Sequence, residues 1–153
     1  MQALPQKFAD WFAARGWAPH DYQLEMVKRA DQGGADLLIA PTGGGKTLSG
    51  FLPSLIDLAE APRDGLHTLY ISPLRALASD IRRNLEAPIA EMGLTIRAED
   101  RTGDTKQSAR RKQRMDPPHI LLTTPESLAL LLSQEDAGRM FGGLKAVIVD
   151  ETH

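Results

Sequence analysis

Cysteine is absent from this 153-residue sequence, and aromatic residues make up only 5% of it. Without cysteine the chain has neither disulfide bonds nor thiolate metal ligands. The sequence also lacks an uncharged apolar run long enough to span a membrane. Its N-terminus lacks the basic start and apolar stretch of a signal peptide. The formal net charge is −2, so any binding to nucleic acid must use local patches of positive charge.

The sequence does contain an alternation of short apolar runs and helical patterns. The nearly all-apolar runs predict an α/β fold with a parallel sheet that helices cover on both faces. Ligands of such sheets bind at the carboxyl ends of the strands. The predicted strands are residues 36–40, 66–71, 120–122 and 146–149, with a weaker one over 94–98. The predicted helices are residues 4–15, 22–30, 46–59, 74–89, 106–115 and 126–132, the third bent at Pro53.

A glycine-rich loop, APTGGGKT at residues 40–47, lies between a predicted strand and a predicted helix. It matches the Walker A pattern, except that Ala40 replaces the first glycine. The glycines let backbone N–H groups approach phosphate oxygens, and a helix N-terminus favours the same anion. Lys46 would reach the β- and γ-phosphates, and Thr47 would bind Mg²⁺. The alternative, a glycine-rich turn that contains Lys-Thr by chance, fits this context poorly. The candidate ATP-binding residues here are Thr42, Gly43, Gly44, Gly45, Lys46 and Thr47.

Two acidic residues, Asp150 and Glu151, follow the last apolar run. Acids at a strand end are often surface residues, but the glycine loop gives this pair a chemical role. Asp150 would hold the hydration shell of Mg²⁺, and Glu151 would polarise the attacking water. We therefore predict Lys46, Asp150 and Glu151 as catalytic residues, with Thr47 and Asp150 as the metal site.

Five segments occur in a fixed order: APTGGGKT, SPLRALASD, TGDT, TTPESL and DETH. Together they resemble motifs I, Ia, Ib, Ic and II of superfamily 2 helicases of the DExH type. Their wording is most similar to Lhr-like helicases, in particular the bacterial ligase-associated DNA helicase group. The resemblance implies a RecA-like P-loop NTPase domain that uses ATP and Mg²⁺. It also implies a DNA helicase or translocase that moves 3′ to 5′ in DNA repair, in the bacterial cytoplasm or nucleoid.

The resemblance also implies a domain division. Residues 1–34 would be an N-terminal helical segment with a Q-like motif, and residues 35–153 an incomplete first RecA-like domain. The second RecA-like domain would lie beyond this sequence, so we expect this chain alone to hydrolyse ATP poorly and to unwind nothing. Expected partners are single-stranded DNA, that second domain and a repair ligase or nuclease; no membrane partner is expected.

The Q-like motif, GWAPHDYQ, ends at Gln23. The resemblance implies that Gln23 pairs with adenine, and a side-chain amide has the donor and acceptor that adenine needs. A surface glutamine on a helix is the alternative. Trp17 or Tyr22 could pack beside the base, but for Trp17 we favour a position in the core. The resemblance also assigns His153 to coupling between the ATP site and the second domain.

Three segments are candidates for contact with the nucleic-acid backbone. In two of them a hydroxyl residue precedes a proline, which predicts a capped helix start. Such starts stabilise helices, but their free N–H groups also bind phosphate. The third segment, TGDT, is either a backbone contact or a turn with an Asp or Thr helix cap. The candidate residues are Ser72, Pro73, Leu74, Arg75, Thr102, Gly103, Thr105, Thr124, Pro125 and Glu126.

A basic run over residues 106–114 is either a solvated helix face or a further DNA contact. His20, His67 and His119 have no ligand-like spacing, and we expect them to be structural or surface residues. Two other functions stay open: an RNA helicase, because backbone contacts discriminate RNA poorly, and a non-motor P-loop nucleotide-binding module.

Overall fold

The computed structural model describes residues 4–17, 24 and 46–150, with residues 46–49 described by their backbone. The predicted strand over 36–40 and the predicted domain boundary after residue 34 lie outside these residues, as does the helix over 22–30 except for residue 24. No helix of the described part is long and apolar enough to cross a membrane. In chain order the elements are α1 Gln6–Ala14, α2 Lys46–Glu60, β1 Thr68–Ile71, α3 Arg75–Glu91, β2 Ala98–Arg101, α4 Gln107–Met115, β3 Ile120–Thr123, α5 Pro125–Leu132, α6 Ala137–Phe141 and β4 Ala146–Val149.

The described strands form one parallel sheet in the order β2-β3-β1-β4. The strand β1 pairs with β3 from Thr68 opposite Ile120, and with β4 from Thr68 opposite Ala146. Each parallel connection contains a helix, as a crossover requires. The predicted α/β fold with a parallel sheet is therefore confirmed.

The described residues divide into two compact units, those within 1–62 and 88–94, and those within 63–87 and 95–153. The second unit contains the sheet. Its central strands β1 and β3 are almost fully buried, and an apolar cluster packs beside them. This cluster comprises Leu66, Leu69, Leu121, Leu131 and Met140. In β4 the side chains alternate, and Val147 and Val149 are 54% and 70% exposed.

The strand predicted over 94–98 is wrong in position, because β2 instead covers Ala98–Arg101. Three of its four residues are polar, which an apolar pattern cannot detect. The strand lies at the end of the strand order, where it pairs with β3 alone. Its charges are compensated by neighbours: Arg82 Nε lies 2.8 Å from Asp100 Oδ1, and Ser79 Oγ donates to Asp100 Oδ2 at 3.1 Å.

In the first unit, two helices end at glycine residues. Gly16 follows α1 with φ +70°, and Trp17 N donates to Phe12 O at 2.9 Å. Gly93 follows α3 in the same way, with φ +66° and a bond from Leu94 N to Ile89 O at 2.9 Å. A left-handed residue that returns these bonds is the Schellman helix ending, and glycine adopts it without strain. The predicted end of the first helix at Gly16 is confirmed.

Side chains of α1 bind the last residue of α3 within this unit. Trp11 Nε1 and Arg15 Nε donate to Glu91 Oε1 at 3.0 and 3.1 Å. The hydrogen bond from Arg15 lowers the pKa of Glu91 most, and that from Trp11 adds to it. Trp17 is 52% exposed and contacts Trp11 edge-on, so its predicted core position is wrong. The Schellman ending directs the chain out of the helix and leaves Trp17 over the Trp11 ring.

The third predicted helix is confirmed as α2, which begins at Lys46 and runs through Pro53 to Glu60. The helix is therefore not ended by its proline. Phe51, Leu52 and Leu55 are buried around that position. Burial of an apolar face stabilises a helix more than a single proline weakens it.

The buried position of Leu121 in β3 gives a stability prediction. Its side chain is 0% exposed and belongs to the core cluster, whereas Leu130 of α5 is 58% exposed. We expect Leu121→Ala to lower the free energy of unfolding by about 2–5 kcal/mol, because it leaves a cavity. The matched control Leu130→Ala should change it by about 0.5 kcal/mol or less. Urea denaturation measures both, and equal losses in the two variants would contradict this core.

Candidate functional site

The hydrogen-bond ladder of the sheet continues one residue beyond its strands. Ser72 N donates to Thr123 O at 2.9 Å, and Asp150 N donates to Ile71 O at 2.8 Å. The register places Ile71 opposite both Thr123 and Val149, and Arg101 opposite Thr123. The residues that follow these strand ends therefore lie side by side at the carboxyl edge. They are Thr102, Ser72, Thr124 and Asp150, as predicted for a ligand-binding edge.

Asp150 is partly buried and held by a tyrosine that the sequence reading did not select. The Tyr70 hydroxyl donates a hydrogen bond to Asp150 Oδ2. Tyr70 is 2% exposed, and its pKa is raised, first by burial and then by the hydrogen bond to Asp150 and its negative charge. The tyrosine therefore keeps its proton and orients the carboxylate. A tyrosine within an apolar strand was the available signal, because buried tyrosines require a polar partner.

The other predicted ATP-site residues are described in part. The residues from Lys46 onward are helical, as predicted for the segment that follows the glycine loop. Gln23, residues 42–45, Glu151 and His153 lie outside the described residues, as do the side chains of Lys46 and Thr47. Their roles stay predictions.

The segment from Ser72 to Arg75 forms a turn before its helix. Ser72 is 0% exposed, and its Oγ accepts from Leu74 N at 3.2 Å, while α3 begins at Arg75. The predicted cap with Pro73 in the first helical turn is therefore wrong by two residues. A serine that bonds the N–H two residues ahead forms a local turn. As a result Pro73, Leu74 and Arg75 are exposed beside the carboxyl edge.

The segment from Thr124 to Glu126 is a capped helix start, as predicted. Thr124 is the N-cap of α5, its Oγ1 accepts from Ser127 N at 3.3 Å, and Pro125 occupies the first turn. Thr124 is 3% exposed, whereas Pro125 and Glu126 are exposed. The side chain of Thr124 thus forms the cap, and the exposed surface of this helix start consists of Pro125 and Glu126.

The TGDT segment is a closed turn. Thr102 N donates to Thr105 Oγ1 at 2.9 Å, and Asp104 N donates to Thr102 Oγ1 at 3.2 Å. The alternative, a turn with an Asp or Thr helix cap, is wrong as to the cap, because Lys106 precedes α4 without a side-chain cap. Thr102 is 2% exposed, and Gly103 is exposed. The hydroxyls of both threonines therefore stabilise the turn itself.

Arg75 joins two of these segments. Its Nη1 donates to Asp104 Oδ1 at 3.1 Å, in an ion pair in which the side chains are 60% and 78% exposed. A Cβ added at Gly103 would lie 3.2 Å from the same nitrogen. The guanidinium thus lies against the turn, at a position where a larger residue would displace it.

A buried polar layer fixes this turn to α4, and the sequence reading did not find it. Arg101 is 6% exposed and donates to Arg110 O at 3.1 Å and to Gln113 Oε1 at 3.3 Å. Gln113 Nε2 donates to Asp100 O at 3.2 Å, and Arg110 Nη2 donates to Thr102 O at 2.7 Å. The pKa of Arg101 is lowered by burial and by the charges of Arg110 and Arg114.

This layer divides the basic run into two groups. Arg110 and Arg114 bind neighbouring elements, the second through an ion pair of 2.9 Å with Asp136 that lowers the pKa of this acid. Lys106, Arg111 and Lys112 are exposed. Only this second group is available to a ligand as free surface charge.

His67 and His119 have structural contacts, one of the two predicted alternatives, and His20 lies outside the described residues. His119 Nδ1 accepts from Arg97 N at 2.9 Å, and its Nε2 lies 2.7 Å from Arg63 O. His67 Nδ1 lies 2.7 Å from Thr68 Oγ1. Among the described residues, no cluster of histidine and acidic side chains could hold a metal ion.

Comparison with known proteins identifies the sequence family. The model of the DEAD/DEAH box helicase family matches residues 20–153. The ATP-dependent helicase Lhr-Core of Methanocaldococcus jannaschii is 38% identical over 99% of this chain and 20% of its own length. The Lhr helicase/probable uracil glycosylase of Mycolicibacterium smegmatis is 40% identical over 94% of this chain and 10% of its own length. The chain thus spans a fifth or less of these relatives.

Solved structures agree with this match. The helicase Lhr of Mycobacterium smegmatis, bound to ssDNA and AMP-PNP, superposes with a TM-score of 0.87 at 38% identity, over 97% of this chain and 20% of that one. The DUF1998 helicase MrfA, bound to DNA and AMPPNP, gives a TM-score of 0.86 at 29% identity, over 99% and 21%. These likenesses confirm the RecA-like fold and the predicted resemblance to Lhr-like helicases. Together with the motif order and the carboxyl edge, they show that the chain belongs to the DEAD/DEAH box helicase family.

Proposed function

We propose that this chain is the first RecA-like domain of an ATP-dependent DNA helicase or translocase. The observation that carries the proposal is the carboxyl edge of the sheet, where three candidate backbone-binding segments and Asp150 follow neighbouring strands in register. The Lhr-Core relative from Methanocaldococcus jannaschii is an ATP-dependent helicase, which supports ATP as the nucleotide. The structures of Lhr with ssDNA and of MrfA with DNA support DNA as the substrate.

Residues 40–47 and 150–151 would bind and hydrolyse Mg-ATP. Lys46 would bind the β- and γ-phosphates, the three glycine N–H groups would approach their oxygens, and Gln23 would select adenine. The helix over Lys46–Glu60 supports the phosphate role, because a helix N-terminus next to the glycine loop would favour anions.

The donor set fits Mg²⁺, a hard cation that prefers oxygen ligands. Tyr70 binds Oδ2 of Asp150, which orients the carboxylate and leaves Oδ1 without a partner among the described residues. Thr47 would supply a hydroxyl oxygen. When bound, the ion would neutralise charge that develops on the phosphates.

Glu151 would accept a proton from the attacking water, and a second RecA-like domain would supply arginine side chains to the same phosphates. His153 would connect the ATP site to that second domain.

The backbone-binding surface would consist of the exposed residues of the three segments. Arg75 supplies positive charge, while Gly103 and the helix start at Pro125 allow close approach of the phosphates. The hydroxyls of Ser72, Thr102, Thr105 and Thr124 would hold the segments in shape. Contacts of this kind position a strand without reading its bases, so sequence preference should be low.

This proposal also includes movement in the 3′ to 5′ direction and a role in DNA repair. It further includes a bacterial cytoplasmic location and a ligase or nuclease partner. They rest on the resemblance to the ligase-associated group. RNA is the alternative substrate. ATPase rates measured with DNA and with RNA would distinguish the two.

The first prediction concerns Glu151 in the full-length protein. We expect Glu151→Gln to retain ATP binding and to reduce kcat by about 10²- to 10⁴-fold, because a general base is lost while the phosphate contacts stay. Binding of a fluorescent ATP analogue and steady-state ATPase rates measure the two effects. The exposed Glu135→Gln serves as the control and should leave both unchanged. Unchanged turnover in Glu151→Gln would remove this residue from the mechanism.

The second prediction concerns Arg75. Arg75→Gln should weaken binding of a single-stranded DNA oligonucleotide and reduce the slope of log K against log salt by about one, because one phosphate contact is lost. Arg83 is the matched control: it lies on the same helix with the same 60% side-chain exposure. Fluorescence anisotropy across a salt series measures both variants. An equal loss in Arg75→Gln and Arg83→Gln would show a general charge effect instead of a contact.

A further inference from the structure

Two of the segments that we propose for backbone binding also bind each other. Arg75 Nη1 donates to Asp104 Oδ1 at 3.1 Å, and the same nitrogen lies 3.2 Å from the Cβ position of Gly103. A carboxylate therefore occupies the guanidinium that would otherwise meet a phosphate. The two groups compete directly, because an arginine binds carboxylate and phosphate through the same N–H donors.

The carboxylate of Asp104 is not needed to form its turn. The turn is closed by the hydroxyls of Thr102 and Thr105, and Asp104 takes part through its backbone N–H. Among the described residues, the only hydrogen bond of the Asp104 carboxylate is that with Arg75. Its side chain could therefore change partners without unfolding the turn.

The ion pair is suited to exchange because it is weak. Both side chains are largely exposed, at 60% and 78%, so water screens their attraction and holding both side chains costs entropy. A phosphate that reaches Arg75 meets a negative charge beside its binding site. The carboxylate then both competes for the guanidinium and repels the phosphate.

We propose that Asp104 acts as a built-in competitor that lowers the affinity of the Arg75 site for a backbone phosphate. Such a group favours release of the strand at each step of movement. The proposal rests on the proposed nucleic-acid function of Arg75. The effect of removing Asp104 on DNA affinity distinguishes this role from a positioning role. Removal of a residue that merely orients Arg75 would weaken binding, whereas removal of a competitor strengthens it.

The test uses the full-length protein and the variant Asp104→Asn, which keeps the shape of the side chain and removes its charge. We expect the Kd for a fluorescent single-stranded DNA oligonucleotide at low salt to fall about three- to fivefold, the effect of one like charge at roughly 5 Å in water. The gain should shrink as salt rises, because the repulsion is screened. Weaker or unchanged binding would overturn the proposal.

Asp116→Asn is the matched control. Asp116 also forms an exposed ion pair with an arginine, Arg97, at 2.8 Å, but this pair precedes the strands β2 and β3 and so lies at the opposite edge of the sheet. The same charge is removed, yet the Kd should change by less than about 1.5-fold, because Coulomb repulsion falls with distance and salt screens what remains across the length of the strands. An equal gain in both variants would attribute the effect to net charge and overturn the proposal.

The double variant Arg75→Gln/Asp104→Asn separates this inference from the proposed function. The gain from Asp104→Asn should vanish without Arg75, because a phosphate is then no longer held beside residue 104. Its persistence would show that Asp104 acts elsewhere. If Arg75→Gln weakens binding while Asp104→Asn does not strengthen it, the proposed competition by Asp104 is wrong, and the proposed phosphate contact of Arg75 is retained. If neither change alters binding relative to its control, the backbone contact at Arg75 fails, and the competitor fails with it.

Discussion

Parallel strand pairing is the constraint on which the candidate site depends. The bonds from Ser72 N to Thr123 O and from Asp150 N to Ile71 O carry the ladder past the ends of the strands. Because these bonds fix register, the next residue of each strand emerges at the same level. A shift of one residue would turn each side chain to the opposite face. The register of the backbone therefore determines which side chains lie next to each other at the site.

Side chains at this edge divide into those that shape the segments and those that remain exposed. The hydroxyls of Thr102 and Thr124 are consumed by a turn and a helix cap, and Arg101 is buried beneath α4. Arg75 instead reaches across to Asp104 from an exposed helix start. Buried hydroxyls thus shape the segments of this edge, while an exposed charge lies at its surface.

The sequence predicted the sheet and its carboxyl edge well, because apolar strands such as β3 and β4 carry a strong pattern. It placed β2 wrongly, since the polar residues of that edge strand are stabilised by partners such as Arg82 that lie far away in sequence. The local sequence pattern predicted the helix cap by Thr124 but not the turn at Ser72. A serine hydroxyl can accept either from an N–H in the first turn of a helix or from the N–H two residues ahead, and the pattern is the same in both cases. The partners of Tyr70 and Gln113 could not be assigned, because they are set by tertiary contacts.

The central claim is that this edge belongs to a DNA-dependent motor. Its most direct test is the steady-state ATPase rate of the full-length protein with single-stranded DNA, with RNA of the same length and sequence, and with neither. Our account predicts a large increase with DNA and little change with RNA. Stimulation by RNA alone, or a rate that is independent of both, would contradict it.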